Sequence, residues 1–365
     1  MPEGVTGAGF LWAWGASYVF LALCGAYWVV LALGWRRVRV RKGEKVPPVS
    51  VLVPAHNAAS TLPALLESLA QQKYPAPWEV WVIADRCTDE TAAVVRASQE
   101  KSPFPVALIE VWQRPPDWSG KKYALYCGVQ AARYSWCVVV DADVTLPEGW
   151  LLGLMEGADE KAAMIGAAWL QGGSSVASQL AAYEAALVQA EGLGWAGWGA
   201  PYLATGRGWA VRKNWLLAGL FAWRTVLSGD DDLTVQLLPR SKVGVARVAS
   251  LSPAPRSFWA AFQRKWRHLQ TAPYYPWPLR LRLMVAPALQ LAGLVCWVLA
   301  PQAWPALLIP PAAKLLTLMC LQAPIKPHVF LYDWPLFFLQ ISYPIGAWVR
   351  KHAWALLPLY GAHAI

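Results

Sequence analysis

Two aspartates separated by a single residue, Asp141 and Asp143, are the clearest candidates for metal chemistry in this sequence. They come directly after the apolar run 136–140. Carboxylates at this spacing form a compact, oxygen-rich site of the kind that Mg²⁺ or Mn²⁺ favours, and the oxygens of a substrate phosphate would complete the coordination shell. The alternative is a surface turn, in which aspartate is common. The strand predicted before the pair favours the metal site.

Two further acidic groups have a similar relation to predicted strands. Asp85 follows the run 79–84, and Asp230, Asp231 and Asp232 form an acidic triplet later in the chain. In an open parallel sheet, ligands bind beyond the carboxyl ends of the strands. We therefore expect all three acidic groups to meet at one edge of such a sheet.

The elements that would position these acids alternate between strand and helix. Short β-branched runs predict strands, and apolar residues at helical spacing predict helices. Their alternation is typical of an α/β fold in which a mostly parallel sheet has helices on both faces. The predicted strands are 49–54, 79–84, 106–111 and 136–140, and the predicted helices are 60–71, 88–99 and 121–132.

The composition indicates a membrane protein. Of the 365 residues, 56% are hydrophobic, only 15% are charged, and 24 are tryptophans, which concentrate where apolar and wet environments meet. The formal net charge of +10 favours anionic partners. Because the basic residues flank apolar segments and no reading module is recognisable, we expect no nucleic-acid partner. The spacing of the six cysteines matches no zinc or redox motif, which indicates a reduced, cytosol-facing domain.

Apolar segments on both sides of the α/β region predict membrane helices. Residues 10–34 are uncharged and long enough to cross a bilayer, and the basic residues that follow place the next domain in the cytoplasm. Lys314 lies in the second apolar region, where a charge is costly unless it is paired or reaches the headgroups. We predict an integral protein of a bacterial inner membrane with a transmembrane helix over 1–35, a basic linker over 36–48, a cytoplasmic domain over 49–270, a transmembrane hairpin over 280–325 that turns near 300–303, and an interfacial or third membrane segment over 329–365.

Segments from residue 49 to about residue 267 resemble, in their order and spacing, the motifs of the family 2 glycosyltransferases. Together they are specific, although none is decisive alone, and the flanking membrane segments agree with them. The segments are the strand and loop 49–57, the loop 83–91, Gly120-Lys121-Lys122, Asp141-Ala142-Asp143, the glycine-rich stretch 205–212, Asp231-Asp232, and Gln263-Arg264-Lys265-Trp266-Arg267.

The resemblance implies a GT-A fold and the metal-dependent transfer of a sugar from a nucleotide donor, with a UDP-sugar as the expected donor. It implies Asp232 as the general base, beside Asp231, and direct attack by the acceptor that inverts the anomeric centre. The cofactor would be Mg²⁺ or Mn²⁺, held mainly by Asp143 with support from Asp141. The implied nucleotide-sugar contacts are Pro54, His56, Asn57, Asp85, Lys121, Lys122, Asp141 and Ala142, and the implied acceptor or diphosphate contacts are Gly206, Gln263, Arg264, Trp266, Arg267 and His268.

Two positions depart from the family pattern. Asp231 stands where a glutamate is usual, and Trp266 and Arg267 have the reverse of the order in Gln-x-x-Arg-Trp, which leaves their individual roles open. The membrane layout is similar to that of ceramide glucosyltransferases and related bacterial lipid glycosyltransferases, which implies a membrane lipid as acceptor. The alternatives are a processive polysaccharide synthase, for which the predicted crossings are few, a polyprenyl-phosphate glycosyltransferase, and a catalytically inactive membrane scaffold, which would not need the acidic groups.

Overall fold

A computed structural model describes residues 7–39 and 45–337. A seven-stranded sheet with the strand order β3-β2-β1-β4-β6-β5-β7 forms the centre of the fold. Strand β6 is antiparallel to β4 and β5, and the other neighbouring strands pair in parallel. The strands are β1 Val49–Ala55, β2 Trp78–Asp85, β3 Val106–Val111, β4 Trp136–Val139, β5 Ala163–Gln171, β6 Trp209–Arg212 and β7 Val243–Pro253.

Helices cover both faces of this sheet. Successive strand side chains point to opposite faces, so Val51 and Val53 join one hydrophobic core and Leu52 joins the other. The helices are α1 Gly7–Arg37, α2 Leu62–Ala70, α3 Thr91–Gln99, α4 Gly120–Ala131, α5 Trp150–Met155, α6 Val176–Gly197, α7 Lys213–Ala222, α8 Asp232–Val235, α9 Phe258–Leu269, α10 Trp277–Leu299 and α11 Ile309–Cys320, with 3₁₀ helices at Arg240–Lys242, Ala272–Tyr274, Pro301–Leu308 and Pro327–Tyr332.

Among the described residues, three helical segments are long and apolar enough to cross a membrane, judged by length and composition. They are Gly9–Arg37, Trp277–Leu299 and Pro301–Cys320. The chain turns at Ala300 between the second and third of these segments. The third begins as a 3₁₀ helix, where Pro305 removes a backbone donor, and continues as α11.

Helix α1 packs against α6, α10 and α11, which joins the apolar bundle to the α/β part of the molecule. Since residues 338–365 lie outside the described residues, most of the C-terminal segment predicted over 329–365 is not described. Its first residues belong to the short 3₁₀ helix Pro327–Tyr332.

Candidate active site

Three distant stretches of chain meet beyond the carboxyl end of β4. The backbone N–H of Asp141 donates a hydrogen bond to the carbonyl of Gly206 at 2.8 Å. The N–H of Gly206 in turn donates to Asp231 Oδ2 at 2.6 Å. These two bonds hold the Asp141 loop, the glycine-rich stretch and the acidic triplet together at the edge of the sheet where a ligand would bind in this class of fold.

Lys121 links two of the acidic groups. Its ammonium Nζ lies 2.8 Å from Asp141 Oδ1 and 3.0 Å from Asp230 Oδ2. Burial acts against the charged ammonium, but the surrounding carboxylates outweigh it and raise the pKa of Lys121. The result is an alternating chain of charges, Asp141–Lys121–Asp230, that crosses the floor of the cleft. The site therefore holds a cation between two carboxylates.

The two aspartates of the Asp141-Ala142-Asp143 stretch have different environments. Burial disfavours the charged form of Asp141, yet Lys121 outweighs this effect and lowers its pKa. Asp143 is exposed, and desolvation together with the charge of Asp141 raises its pKa. Ala142 between them is buried and anchors the turn.

The donor set fits a hard divalent cation. Asp141 and Asp143 supply only carboxylate oxygens, the ligands that Mg²⁺ and Mn²⁺ prefer. Within residues 7–39 and 45–337, no group of three or more histidine, cysteine, aspartate or glutamate side chains is arranged to hold a metal. A cation bound by this pair would therefore need further oxygens from a ligand, as a substrate diphosphate would provide.

The aspartates of the acidic triplet have different partners, and the role of Asp232 as the base stays a prediction. Both carboxylate oxygens of Asp232 have partners within the protein, because Oδ1 accepts from the N–H of Leu233 at 2.9 Å and Oδ2 accepts from the hydroxyl of Tyr275. Asp231 Oδ1 accepts from the N–H of Asp232 at 2.8 Å, and its Oδ2 is held by Gly206. The side chain of Asp230 is also buried, and it pairs with the ammonium of Lys121. The carboxylate of Asp232, the predicted base, is thus bonded within the protein, whereas that of Asp230 belongs to the ion-pair chain with Lys121 and Asp141.

Burial shifts the proton affinities of the two aspartates that are bonded within the protein. Desolvation and the charge of Asp230 raise the pKa of Asp231 well above its ordinary value. Desolvation also raises the pKa of Asp232, although the hydroxyl of Tyr275 opposes this effect. Burial is the main cause of both shifts, and the like charges of the neighbouring carboxylates add to it.

The structure also separates Lys121 and Lys122, which were both predicted as nucleotide-sugar contacts. Lys122 is fully buried, and its Nζ donates to the carbonyls of Trp223, Val226 and Ser228 at 2.7, 2.8 and 2.8 Å. Because an ammonium has three N–H groups, none is left for a phosphate. The prediction for Lys122 is therefore corrected: this residue holds the loop before the acidic triplet, and Lys121 alone faces the cleft.

The predicted nucleotide contacts of β1 and β2 lie side by side. Asp85 is buried and accepts two hydrogen bonds from the guanidinium of Arg86, at 2.8 and 2.9 Å. His56 Nδ1 lies 2.6 Å from the carbonyl of Asp85, and Asn57 Oδ1 accepts from the N–H of Thr88 at 2.8 Å. Pro54 is paired within the sheet next to them. These contacts order the two loops that follow the strands, and the nucleotide-binding roles of the residues stay predictions.

Helix α9 carries the predicted acceptor or diphosphate residues along one side of the cleft. The helix has no fully buried residue, and Trp259, Phe262 and Trp266 stack along it with ring centroids 5.6 and 6.2 Å apart. Arg264 lies within electrostatic reach of Asp141 and Asp143, whereas Gln263, Arg267 and His268 are exposed. Desolvation and neighbouring cations lower the pKa of His268 well below its usual value.

A cavity of about 400 Å³ separates α9 from α6. Apolar side chains supply most of its lining, and an ion pair between Lys265 and Glu184 closes one side. Arg264 and His268 stand at the wall toward the acidic residues. The cavity could therefore hold an apolar ligand with a polar end directed at the cleft.

Several residues of the site were not predicted as such from the sequence. Arg207 is buried between Asp141, Asp143 and Arg264, and its Nη1 has no hydrogen-bond partner among the described residues. Its position in the glycine-rich stretch was a signal that could have identified it. Asp230 was visible as a member of the triplet, whereas the distance of Tyr275 along the chain gave no sign of its contact with Asp232.

Comparisons with known proteins match the α/β part of the chain. Residues 50–210 match the family described as "Glycosyl transferase family 2". A 4,4'-diaponeurosporenoate glycosyltransferase from Staphylococcus haemolyticus is 35% identical over 106 residues, which cover 29% of this chain and 27% of that protein. A probable glycosyltransferase, YdaM, from Bacillus subtilis is 34% identical over 129 residues, which cover 33% of this chain and 29% of that protein. The chain thus spans less than a third of the length of these curated relatives.

A solved structure extends the likeness over most of the chain. It is a mannosyltransferase from Pyrobaculum calidifontis in complex with GDP-Man and Mn²⁺, with a TM-score of 0.58 and 21% identity, covering 91% of this chain and 98% of that chain. At this identity the likeness concerns the fold. The predicted α/β fold, a mostly parallel sheet with helices on both faces and added apolar helices, is confirmed.

Proposed function

We propose that this chain, whose residues 50–210 match the family 2 glycosyltransferases, transfers a sugar from a nucleotide donor, a UDP-sugar, to a membrane lipid at the cytoplasmic face. The observation that carries the proposal is the chain of charges Asp141–Lys121–Asp230 at the ligand-binding edge of the sheet. It places a cation and two carboxylates where a sugar diphosphate and an attacking hydroxyl would meet.

We assign the general base to Asp230. The carboxylates of Asp231 and Asp232 are each held by backbone N–H groups or by Tyr275. Asp230 is held by Lys121, whose ammonium can move to an arriving diphosphate and so release the carboxylate. Asp230 then takes the proton of the acceptor hydroxyl while that oxygen bonds to the anomeric carbon. The bond from that carbon to the diphosphate breaks, the diphosphate leaves with the electron pair, and the anomeric centre is inverted.

Asp141 and Asp143 would hold Mg²⁺ or Mn²⁺ together with oxygens of the donor diphosphate. When bound, the cation would neutralise the negative charge of the departing diphosphate. Lys121 and the unpartnered guanidinium nitrogen of Arg207 supply further positive charge from the protein. Asp85 and its loop lie beyond the neighbouring strand, in the position proposed for the nucleotide base.

The lipid acceptor is supported by the cavity between α6 and α9. Its lining is mainly apolar, and its polar wall carries Arg264 and His268 toward the acidic residues. Trp259 and Phe258 are 58% and 59% exposed on α9, as expected of an amphipathic helix that lies in a membrane surface. An acyl or isoprenoid chain in this cavity would direct its hydroxyl end to Asp230.

A comparison of two aspartate variants tests the base. In a screen of UDP-sugars and GDP-mannose with membrane lipid as acceptor, Asp230→Asn should lower kcat on the order of 10²–10⁴-fold, because an amide cannot take the proton. Asp232→Asn keeps the hydrogen-bonding shape of its site and should retain much more activity. The opposite ranking of the two variants would overturn the assignment of Asp230.

Sealed membrane vesicles test the acceptor and the membrane face. An impermeant nucleotide-sugar should label lipid in inside-out vesicles and not in right-side-out vesicles, and a chelator should abolish the labelling until Mg²⁺ or Mn²⁺ is restored. Label that appears only in water-soluble product would contradict the lipid acceptor. Label in right-side-out vesicles would contradict the cytoplasmic face.

A further inference from the structure

A second cavity, of about 330 Å³, lies between the start of α10 and the residues that follow the acidic triplet. Two arginines line it, Arg240 from a 3₁₀ helix and Arg282 from the second turn of α10. The remaining lining is largely apolar and includes Val235, Leu238 and Leu279. The cavity thus combines two cations with apolar walls.

Neither arginine is neutralised by an ion pair within the described residues. The guanidinium of Arg282 lies over the rings of Trp195 and Tyr202, 4.6 and 5.2 Å from their centroids, and its buried Nε has no hydrogen-bond acceptor. Glu191 acts on Arg282 only at longer range, because the hydroxyl of Tyr27 donates to that carboxylate. The stacked rings hold the guanidinium in place, and one of its donors has no acceptor.

Two unpaired guanidiniums at one cavity repel each other, and an anion between them would remove this cost. The planar donors of arginine match the oxygens of a phosphate better than any other side chain does. We propose that this cavity binds the phosphate of an anionic phospholipid headgroup from the adjoining leaflet. The proposal rests on the membrane location in the proposed function and does not depend on the transfer reaction.

The position of the cavity favours a lipid over a free anion. Arg282 belongs to a helix that is long and apolar enough to cross a membrane. On the same helix, Trp277 and Leu281 are 63% and 51% exposed, so apolar surface continues outward from the mouth of the cavity. A lipid could place its phosphate between the arginines and its glycerol and acyl chains along this surface.

The cavity also adjoins the acidic triplet. Tyr202 lines it and makes an edge contact with Tyr275, with ring centroids 6.4 Å apart. Tyr275 donates the hydrogen bond to Asp232. A bound lipid would therefore contact the shell of aromatic residues that supports the triplet.

The full-length protein in a neutral detergent, titrated with dioleoyl phosphatidylglycerol and followed by native mass spectrometry, tests the proposal. We expect one saturable adduct, with dioleoyl phosphatidylcholine binding at least about tenfold more weakly, since a charge-assisted bond is lost. Arg282→Gln and Arg240→Gln should each weaken the phosphatidylglycerol adduct about tenfold or more. Arg280→Gln is the matched control, because Arg280 lies two residues away over the Trp277 ring, outside the cavity, and should bind as the wild type does.

Each result of this titration has a defined meaning. Equal binding of phosphatidylglycerol by the wild type and both cavity variants would overturn the proposed lipid site. Arg240 is exposed, so its replacement should not unfold the protein, and weaker binding by Arg240→Gln would not reflect unfolding. Competition by millimolar inorganic phosphate that removes the adduct would overturn the assignment to a lipid. Because no donor sugar is present, a failure here is distinguishable from a failure of the glycosyl transfer assay.

Discussion

At the scale of single residues, adjacent residues of the same type have different partners in this protein, because their side chains leave the backbone in different directions. The ammonium of Lys121 faces the cleft and pairs with Asp141, whereas that of Lys122 is buried and bonded to three carbonyls. Desolvation lowers the pKa of Lys122 to about 8, a cost that the three carbonyl bonds offset. In the same way, Asp230 pairs with Lys121, whereas the carboxylates of Asp231 and Asp232 accept hydrogen bonds from backbone N–H groups or from Tyr275.

The two lysines should respond differently to the same substitution. Lys122→Met leaves three carbonyls of the 223–228 loop without a donor and should cost about 3 kcal/mol or more of stability. Lys121→Met removes a cation that is 34% exposed and should lower kcat/KM about tenfold or more, with a smaller loss of stability than Lys122→Met causes. Thermal unfolding and a glycosyl transfer assay on both variants check this. Equal loss of stability in the two variants would contradict it.

Glu191 gives a prediction for the pH dependence of stability. Burial raises its pKa from the usual 4.5 to about 7, although the hydroxyl of Tyr27 and the charge of Arg282 oppose the shift. Between these values the folded protein holds a proton that the unfolded chain has lost. The stability that the protonated Glu191 contributes to the folded protein is therefore complete below pH 4.5, and it is lost as the pH rises through about 7.

The unfolding temperature in detergent should fall more for the wild type than for Glu191→Gln as the pH rises from about 5 to about 8. The amide does not titrate but can still accept the hydrogen bond from Tyr27. Glu184→Gln is a control, because that glutamate lies on the same helix and pairs with Lys265. Parallel pH profiles for the wild type and Glu191→Gln would show that Glu191 does not carry this dependence.

At the scale of elements, the junction of α1 with α6 depends on glycines. A Cβ on Gly34 would lie 2.2 Å from the carbonyl oxygen of Gly194, and a Cβ on Gly197 would lie 1.9 Å from the carbonyl oxygen of Gly34. Backbone cannot yield at such distances without moving the helices apart. The close approach places an apolar helix directly on the α/β part of the chain, next to the cation–π contact of Arg37 with Trp198.

Gly34→Ala should therefore destabilise the protein by about 1–3 kcal/mol, the usual cost of overpacking. Gly15→Ala is the matched control on the same helix, since a Cβ there meets nothing within 4 Å. Alanine favours helix over glycine, so the control should be neutral or slightly stabilising. Thermal unfolding of both variants measures the difference, and an equal effect of the two would show that the helices do not pack as described.

At the scale of the whole molecule, a buried polar network joins the apolar bundle to the α/β part. Lys314 of α11 lies 2.8 Å from Asp333 and 3.0 Å from Gln290 of α10, and Tyr183 of α6 donates to Asp333 at 3.0 Å. All four side chains are buried. The cost of a lysine in an apolar segment is thus offset by pairing, one of the two possibilities that the sequence left open.

Removing one partner of this network should be more harmful than removing both charges. Lys314→Met leaves Asp333 buried without its cation and should cost about 3–5 kcal/mol. The double variant Lys314→Met with Asp333→Leu removes both charges and should recover a large part of this loss. Unfolding of the single and double variants in detergent measures the coupling. If the two losses simply add, the pair does not act as a buried ion pair.

The sequence alone determined the features that depend on local order along the chain. The strands 49–54 and 106–111, the aspartates around Ala142 and the apolar helices could all be predicted because periodicity, turn residues and segment length act locally. The edge at which the acidic groups meet followed from the general geometry of parallel sheets. These predictions needed no knowledge of which side chains touch.

Only the tertiary structure decided which partner each side chain of the site has. The carboxylate of Asp230 pairs with Lys121, whereas Tyr275 and the N–H of Leu233 occupy the carboxylate of Asp232. The ammonium of Lys122 is buried because it donates to three carbonyls of the 223–228 loop, about one hundred residues away in the chain. Side-chain direction within a run of identical residues is set by the backbone turn and by partners far away in the chain, and neither is encoded in residue type or spacing.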